Sequence, residues 1–438
     1  MLTHKLTDLI RAKPVADADL EAAALFVLDT LACAYAARRS RQGEILLDWY
    51  HGAKGGPIPE QGGAGRQAFL FGALVHVLEM DDLHRESVTH PACVVIPAAW
   101  SVAASNGASG RAFLAAVLRG YEAVCRIGAA VGPSHYKIWH NTGTCGPYGA
   151  AFAAAALLGL SEEQTVWALG NAGTQSSGLW QFLEEGAMSK HLHAGRAAES
   201  GMLAAELAGC GFTGPAHILE GDKGFFAAAC PDAVPERVLA SPRAPWQLRL
   251  TSIKPWPSCR HTHPAIEAAL KLHGQVTPAE IQQVHIETYQ AALDLCENAR
   301  PGSVYEAKFS LHHCVAAGLC DGMVTLGSFD AAARERLADL AAKTTIATNA
   351  ALDAAYPDKW GARLTLTTNG GDTLVAECRV CKGDPESPVT PGEMRTKADM
   401  LFEHAGLSSA RARALTDEVL ALANGGALPI IDDLWTAT

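Results

Sequence analysis

From the N-terminus to about residue 260 the chain reads as an almost unbroken succession of helices, and those helices are built largely from small residues. Asp17 to Ala37 carries Leu20, Ala24, Leu28 and Leu31 at helical spacing. Gln67 to Asp82, Arg111 to Val131 and Pro147 to Leu158 follow with the same texture. Ser161-Glu162-Glu163-Gln164 is a capping box that opens another helix. Interaxial distance depends on the side chains at the contact, so Ala, Gly and Ser on facing helices predict a tightly packed helical core. The chain has 438 residues, 49% of them hydrophobic and 18% charged, enough apolar text to bury such a core and too little charge for disorder.

The texture changes near Pro264. Ala265 to Leu272 reads as a helix, and Thr277-Pro278-Ala279-Glu280 as a turn with Pro at the first helical position. Val284 to Thr288 alternates like a strand. Arg363 to Thr367, Asn369-Gly370 and Thr373 to Val380 read as a hairpin. Lys308 to Met323 and Asp330 to Ala342 are expected to be helical. After a Pro-rich loop, Asp384 to Gly392, helices return over Thr396 to His404 and Ser409 to Asn424. The expected fold is mainly α with an α+β second domain: a discontinuous helical domain (1–262 and 395–438) and a smaller α+β domain (263–394).

Net charge is -11 with no basic stripe, so a nucleic-acid partner is not expected. The apolar stretch Gly149 to Leu160 is too short to cross a bilayer, and the N-terminal segment lacks a signal-peptide core. A cytoplasmic protein without membrane partners is the expectation. The 12 cysteines are scattered, mostly in Ala-rich helical text, as expected of apolar fillers in a reduced compartment.

Several short motifs fail on context. Gly209-Cys210-Gly211-Phe212-Thr213-Gly214 matches G-x-G-x-x-G by letters, but it follows a helix and reads as a helix C-cap. Cys378-Arg379-Val380-Cys381 is a single C-x-x-C in a strand pattern and reads as strand residues, since a zinc ribbon needs a second pair. His191/His193, His261/His263 and His312/His313 show no clear carboxylate partner, so no catalytic metal is expected.

Five segments concentrate chemistry-bearing residues. Glu79-Met80-Asp81-Asp82-Leu83-His84-Arg85-Glu86-Ser87-Val88-Thr89-His90-Pro91 gathers acids and histidines where a strongly apolar helix runs out. Pro91 pushes His90 into extended backbone. His140-Asn141-Thr142 precedes Gly146-Pro147, read as a helix start whose backbone N–H groups would attract an anion. Ser189 to Arg196 contains Lys190, His191, His193 and Arg196; if helical, Lys190 and His193 share a face. Ile253 to Pro264 places Lys254, Cys259, Arg260, His261 and His263 at the expected domain junction, a favoured pocket position. Lys308 to His313 opens a helix in the second domain. Cations and imidazoles with a few acids, and no nucleophile motif or phosphate loop, suit proton abstraction next to a carboxylate.

The segments LDTLACAYAA, HVLEMDDLHRESVTHPACVVIPAA, HNTGTCGPYGAAFAAAALLGL, SKHLHAGRAAESGMLAAELAGCGFTGP, KPWPSCRHTHPAIEA and EAKFSLHHCVAAGL together resemble the MmgE/PrpD family, in order and over most of the chain. That family includes 2-methylcitrate dehydratase, cis-aconitate decarboxylase and iminodisuccinate epimerase. The resemblance implies a large helical domain with a smaller α+β lid, a cofactor-free homodimer, and a site between the domains. It implies catalytic roles for His90, His140, Lys190, Lys254 and the acidic pair Asp81 and Asp82. Glu79, His84, Asn141, Thr142, His193, Cys259, Arg260 and His313 are the expected substrate contacts. Glu79 stands where the decarboxylase and dehydratase branches usually carry Asp, Cys259 where the decarboxylase has His, and His313 where it has Tyr. The expected activity is that of a cofactor-independent lyase, hydro-lyase or decarboxylase in type, acting on a small di- or tricarboxylate. An epimerase using the same residues and a non-catalytic carboxylate-binding protein are the alternatives.

Overall fold

The structure is a computed structural model that describes residues 1–52 and 63–436. It divides into two compact units, 1–253 with 390–438, and 254–389. The cuts thus fall before Lys254 and before Thr390, against the sequence-based cuts after residues 262 and 394.

The first unit is helical. Its elements include α1 (Asp17–Ala37), α2 (Ala64–Val77), α3 (Ala92–Asn106), α4 (Gly110–Ala130), α5 (Asn141–Leu157), α6 (Glu162–Gly173) and α7 (Ser189–Gly209). Ser161 caps α6 and Gln164 completes the capping box, as its spacing requires. Helix α1 is long and apolar enough to cross a membrane by composition, but 83% of that window is buried, which is how a core helix of this unit behaves. Strand β1 (Leu83–His84) pairs antiparallel with β2 (Thr251–Ser252), which ties the acidic segment to the end of the unit's N-terminal portion.

One expectation fails at a proline, and a second proline-containing helix was not expected at all. Helix α5 begins at Asn141 with His140 as its N-cap, so Pro147 lies inside the helix rather than at its start. Helix α3, which the sequence reading left unassigned, likewise contains Pro97. Every residue from Asn141 to Ala155 is buried, and that packing outweighs the lost N–H and the crowding of a mid-helix proline. Helix α2 stops at Val77, short of the acidic run, because the backbone turns left-handed at Glu79 (φ 57°).

The second unit is α+β. A sheet in the order β4-β3-β5-β6 is formed by β3 (Ile281–Thr288), β4 (Thr344–Thr348), β5 (Ala362–Thr368) and β6 (Thr373–Cys378). β3 runs parallel to β4 and antiparallel to β5, and the β5–β6 hairpin turns over Asn369-Gly370. Alternation puts Val284 and Ile286 of β3 and Leu364 and Leu366 of β5 into the core. The unit's longer helices are α8 (His263–Leu272), α9 (Leu311–Asp321) and α10 (Ala331–Ala342). The chain then returns to the first unit as α11 (Pro391–His404) and α12 (Ser409–Ala421).

Candidate active site

Close helix packing builds the site in the first unit. A Cβ placed on Gly72 of α2 would lie 2.6 Å from the Cys93 carbonyl oxygen and 3.2 Å from that of Ala194. One on Gly195 of α7 would lie 2.6 Å from the Phe69 carbonyl oxygen. The two glycines let α2, α3 and α7 approach to backbone contact, which sets Lys190, in the first turn of α7, over the C-terminal end of α2.

There Lys190 Nζ lies 2.5 Å from Glu79 Oε1, both side chains buried. Glu79 reaches that position from a left-handed backbone, a conformation that costs a non-glycine residue about 1–2 kcal/mol. Strain of this kind persists where the surroundings over-determine it, and such places cluster at functional sites.

Three imidazoles lie together beside this pair. His76, in the last turn of α2, is fully buried, and its Nδ1 lies 2.6 Å from Asp81 Oδ2. Its ring stacks on that of His140 at 5.6 Å and meets the His90 ring edge-on at 4.6 Å. Among the described residues His76 Nε2 and His140 Nε2 have no hydrogen-bond partner. His90 Nδ1 lies 2.6 Å from the Asp82 carbonyl oxygen and 3.5 Å from Asp81 Oδ2. A carbonyl only accepts, so Nδ1 of His90 donates, and in the neutral ring Nε2 carries the lone pair. The backbone N–H of His90 donates to Thr142 Oγ1 at 3.1 Å, and Asn141 Nδ2 donates to the Ser87 carbonyl at 2.8 Å. Thr142 and Asn141 thereby lock the His90 loop onto the start of α5.

Burial, followed by the charges of His76, Lys190 and His193, pushes the His140 pKa well below 6.5. Burial lowers His193 to about 4, and its Nδ1 lies 3.3 Å from Nδ1 of His140. These rings are therefore neutral near pH 7 and can accept a proton, beside one buried ammonium that can hold an anion.

The two aspartates divide the work. Asp81 faces His76 and His90. Asp82 is held above the ordinary carboxylate range, first by burial and then by Asp81. Its Oδ2 accepts from Tyr121 at 2.7 Å and its Oδ1 from the Ala92 N–H at 3.0 Å, so its side chain anchors α3 and α4, and its carbonyl orients His90. His84 is also internal: its Nδ1 lies 2.8 Å from Ser87 Oγ, and burial lowers its pKa to about 4. Lys397 of α11 donates to the Met80 carbonyl at 2.9 Å and pairs with Asp29, which fixes the acidic loop from below.

The remaining expected residues lie in the second unit. Lys254 is buried at its first position. Cys259 donates its N–H to the Lys308 carbonyl. Arg260 forms a buried ion pair with Asp384, and His313 Nε2 lies 2.7 Å from the Ser328 carbonyl. The structure thus brings Glu79, Asp81, His90, His140, Asn141, Thr142, Lys190 and His193 into one neighbourhood of the first unit, and gives Arg260 and His313 partners within the second.

His76 is the member that sequence reasoning passed over. It hides in the apolar text of α2, and the available signal was its place five residues before Asp81, in the last turn before the chain breaks helix. His76, Asp81 and His90 also present donor atoms within 4.8 Å of one another, enough to hold a metal ion. The short His76–Asp81 contact is equally an imidazole–carboxylate pair.

The chain matches the MmgE/PrpD N-terminal domain over residues 5–237 and the MmgE/PrpD C-terminal domain over residues 256–422. It belongs to the MmgE/PrpD family. Similar proteins include the cis-aconitate decarboxylase-like protein oryM of Aspergillus oryzae, 29% identical over 386 residues covering 81% of this chain and 79% of that protein. A cis-aconitate decarboxylase of Aspergillus terreus is 28% identical with the same two coverages. The mouse cis-aconitate decarboxylase is 29% identical over 60% of this chain and 56% of its own length. Family membership and these relatives make the chain an enzyme of the lyase type.

Proposed function

We propose that this MmgE/PrpD enzyme is a cofactor-independent lyase, a decarboxylase or hydro-lyase, acting on a small di- or tricarboxylate by moving a proton at the carbon next to a carboxylate. The observation that carries this reading is the buried Lys190 ammonium set near His140 and His193, two imidazoles that burial keeps neutral. Lys190 Nζ donates to Glu79 Oε1, which fixes where the ammonium sits. A substrate carboxylate beside this ammonium would find its charge, and the larger charge of the enediolate, stabilised in low-dielectric surroundings. His90, with Nδ1–H held by a carbonyl, is oriented to take the α-proton at Nε2. His140 stands on the same pocket as the second proton carrier. Asp81 holds His76 and steadies the cation that forms when an imidazole is protonated. The decarboxylase relatives favour loss of CO₂ over loss of water: the C–C bonding pair then passes into an enediolate held by the Lys190 ammonium, and an imidazole that has taken up a proton returns it to that carbon.

The test is proton NMR in D₂O of chelator-treated protein with 2-methylcitrate, citrate, cis-aconitate and iminodisuccinate. Expected is conversion of one panel member, with solvent deuterium at the protonated carbon and new vinyl signals, and loss of both in Lys190→Ala. Exchange without a new skeleton would instead make the enzyme an epimerase. Binding of a carboxylate with neither outcome would overturn the catalytic reading.

A further inference from the structure

The second unit holds a group of soft donors that the chemistry of the first unit does not use. Cys378, the last residue of β6, and Cys381, three residues on, approach Glu267 of α8. One ligand atom from each of the three lies within 4.8 Å of the others, and both cysteines are buried. Zinc takes thiolate at about 2.3 Å and carboxylate at about 2.0–2.2 Å, so tetrahedral donors sit roughly 3.5–3.8 Å apart. The observed spacing needs only side-chain adjustments to reach that.

The surroundings hold each donor in place. Glu267 Oε2 accepts the Lys382 backbone N–H at 2.7 Å, and Oε1 lies 3.1 Å from Lys271 Nζ. Arg260 Nη1 donates to Cys381 Sγ at 3.3 Å and so fixes the position of that sulfur. The chain turns after Cys381 through Gly383, whose φ of 91° suits glycine, and the Asp384 N–H donates to the Cys381 carbonyl. Outer hydrogen bonds of this kind orient metal ligands and tune their basicity. Two thiolates and a carboxylate exceed a divalent cation by one negative charge, and Arg260 and Lys271 stand beside the group to offset it. A single C-x-x-C reads as plain strand; the third donor, supplied from a helix more than a hundred residues earlier in the chain, changes that reading.

We propose that Cys378, Cys381 and Glu267 form a site for one soft divalent cation, zinc in class, with water in the fourth position. The site ties the end of β6 to α8 and is separate from the carboxylate chemistry of the first unit.

The experiment uses the full-length reduced protein, stripped with a chelator and titrated with Co²⁺, then Zn²⁺ as competitor. Expected is one equivalent of tetrahedral cobalt with a sulfur-to-metal charge-transfer band of two-thiolate intensity, displaced by zinc. Native mass spectrometry should show one zinc per chain. Cys378→Ser and Cys381→Ser should each weaken binding by more than about 100-fold, beyond what loss of an outer partner does. Should either serine variant fail to fold, Glu267→Gln keeps both thiols: it should retain the two-thiolate band while binding more weakly. Cys296→Ser, in a separate buried thiol cluster with Cys259 and Cys314, should bind as the parent does. No charge-transfer band at one equivalent, a band that survives loss of Cys378 and Cys381, or a cysteine pair that only loses two hydrogens to an added disulfide without ever taking metal, would each overturn the proposal.

Discussion

The Glu79–Lys190 pair can be tested by a double-mutant cycle of Glu79→Gln, Lys190→Met and the two together. At the 2.5 Å Nζ–Oε1 separation, and an effective dielectric of about 20, the gross attraction is roughly 7 kcal/mol. Desolvation takes back several kcal/mol for each ion, so the pair's net contribution is small. Removing one partner is different, because the remaining charge, on a side chain 6% or 2% exposed, loses its closest counter-charge inside the core. Each single variant should therefore lose about 3–5 kcal/mol. If these costs were independent the double variant would lose roughly 6–10 kcal/mol. It leaves no stranded charge, so it should lose no more than either single variant, a coupling of about 3 kcal/mol or more. Other neighbours of the two groups cancel in the cycle. Urea unfolding at pH 7, followed by circular dichroism, measures it. Repeating the cycle at high salt should change little, since a buried pair is weakly screened. Additivity within about 0.5 kcal/mol would refute the argument that these charges hold each other inside the core.

Three further outcomes are expected. Lys190→Met should lower kcat/KM by at least about 10²–10³-fold, the loss seen when one donor to a developing anion is removed, with far-UV circular dichroism unchanged; substantial residual turnover would move the anion site elsewhere. Gly72→Ala would ordinarily gain about 0.5–1 kcal/mol in a helix, but its Cβ meets backbone at 2.6 Å, so thermal unfolding should show a net loss of about 1–3 kcal/mol together with reduced activity as α7 is pushed off α2; a stabilised, active variant would deny the close approach. Burial depresses His84 from 6.5 to about 4, so the unfolded chain binds the extra proton: the stability is present above pH 6.5 and is lost as pH falls from 6.5 towards 4, by about 3 kcal/mol for this group. Denaturation of the parent and His84→Asn from pH 7.5 to 4.5 should show the shallower slope in the variant, and equal slopes would sink the assignment.

What was legible in the sequence was whatever depends on period and local chemistry. The spacing of Leu20, Ala24, Leu28 and Leu31 gave α1, Ser161 to Gln164 gave the start of α6, and Asn369-Gly370 gave the β5–β6 hairpin. The start of α5 failed where packing overrides a local rule, at Pro147, and α3, which contains Pro97, drew no assignment from its sequence. Both prolines lie in helices buried on nearly every side, and there the interior decides the backbone.

The same division runs through the site. Residues at the broken end of a helix or next to a proline, such as Asp81 and His90, announce themselves because charge is conspicuous where apolar text stops. His76 does not, since a lone histidine in an apolar helix looks like filler until the fold shows which carboxylate it faces. Nor could Asp81 and Asp82 be told apart as letters. Tyr121 and the Ala92 N–H bind one of them into the scaffold, and the imidazoles surround the other. The left-handed Glu79 follows the same logic. Glycine would relieve the backbone at that position, yet glycine has no carboxylate to set against Lys190. A residue kept against its own backbone preference, opposite the Lys190 ammonium, indicates that its charge matters more to this enzyme than the strain it carries.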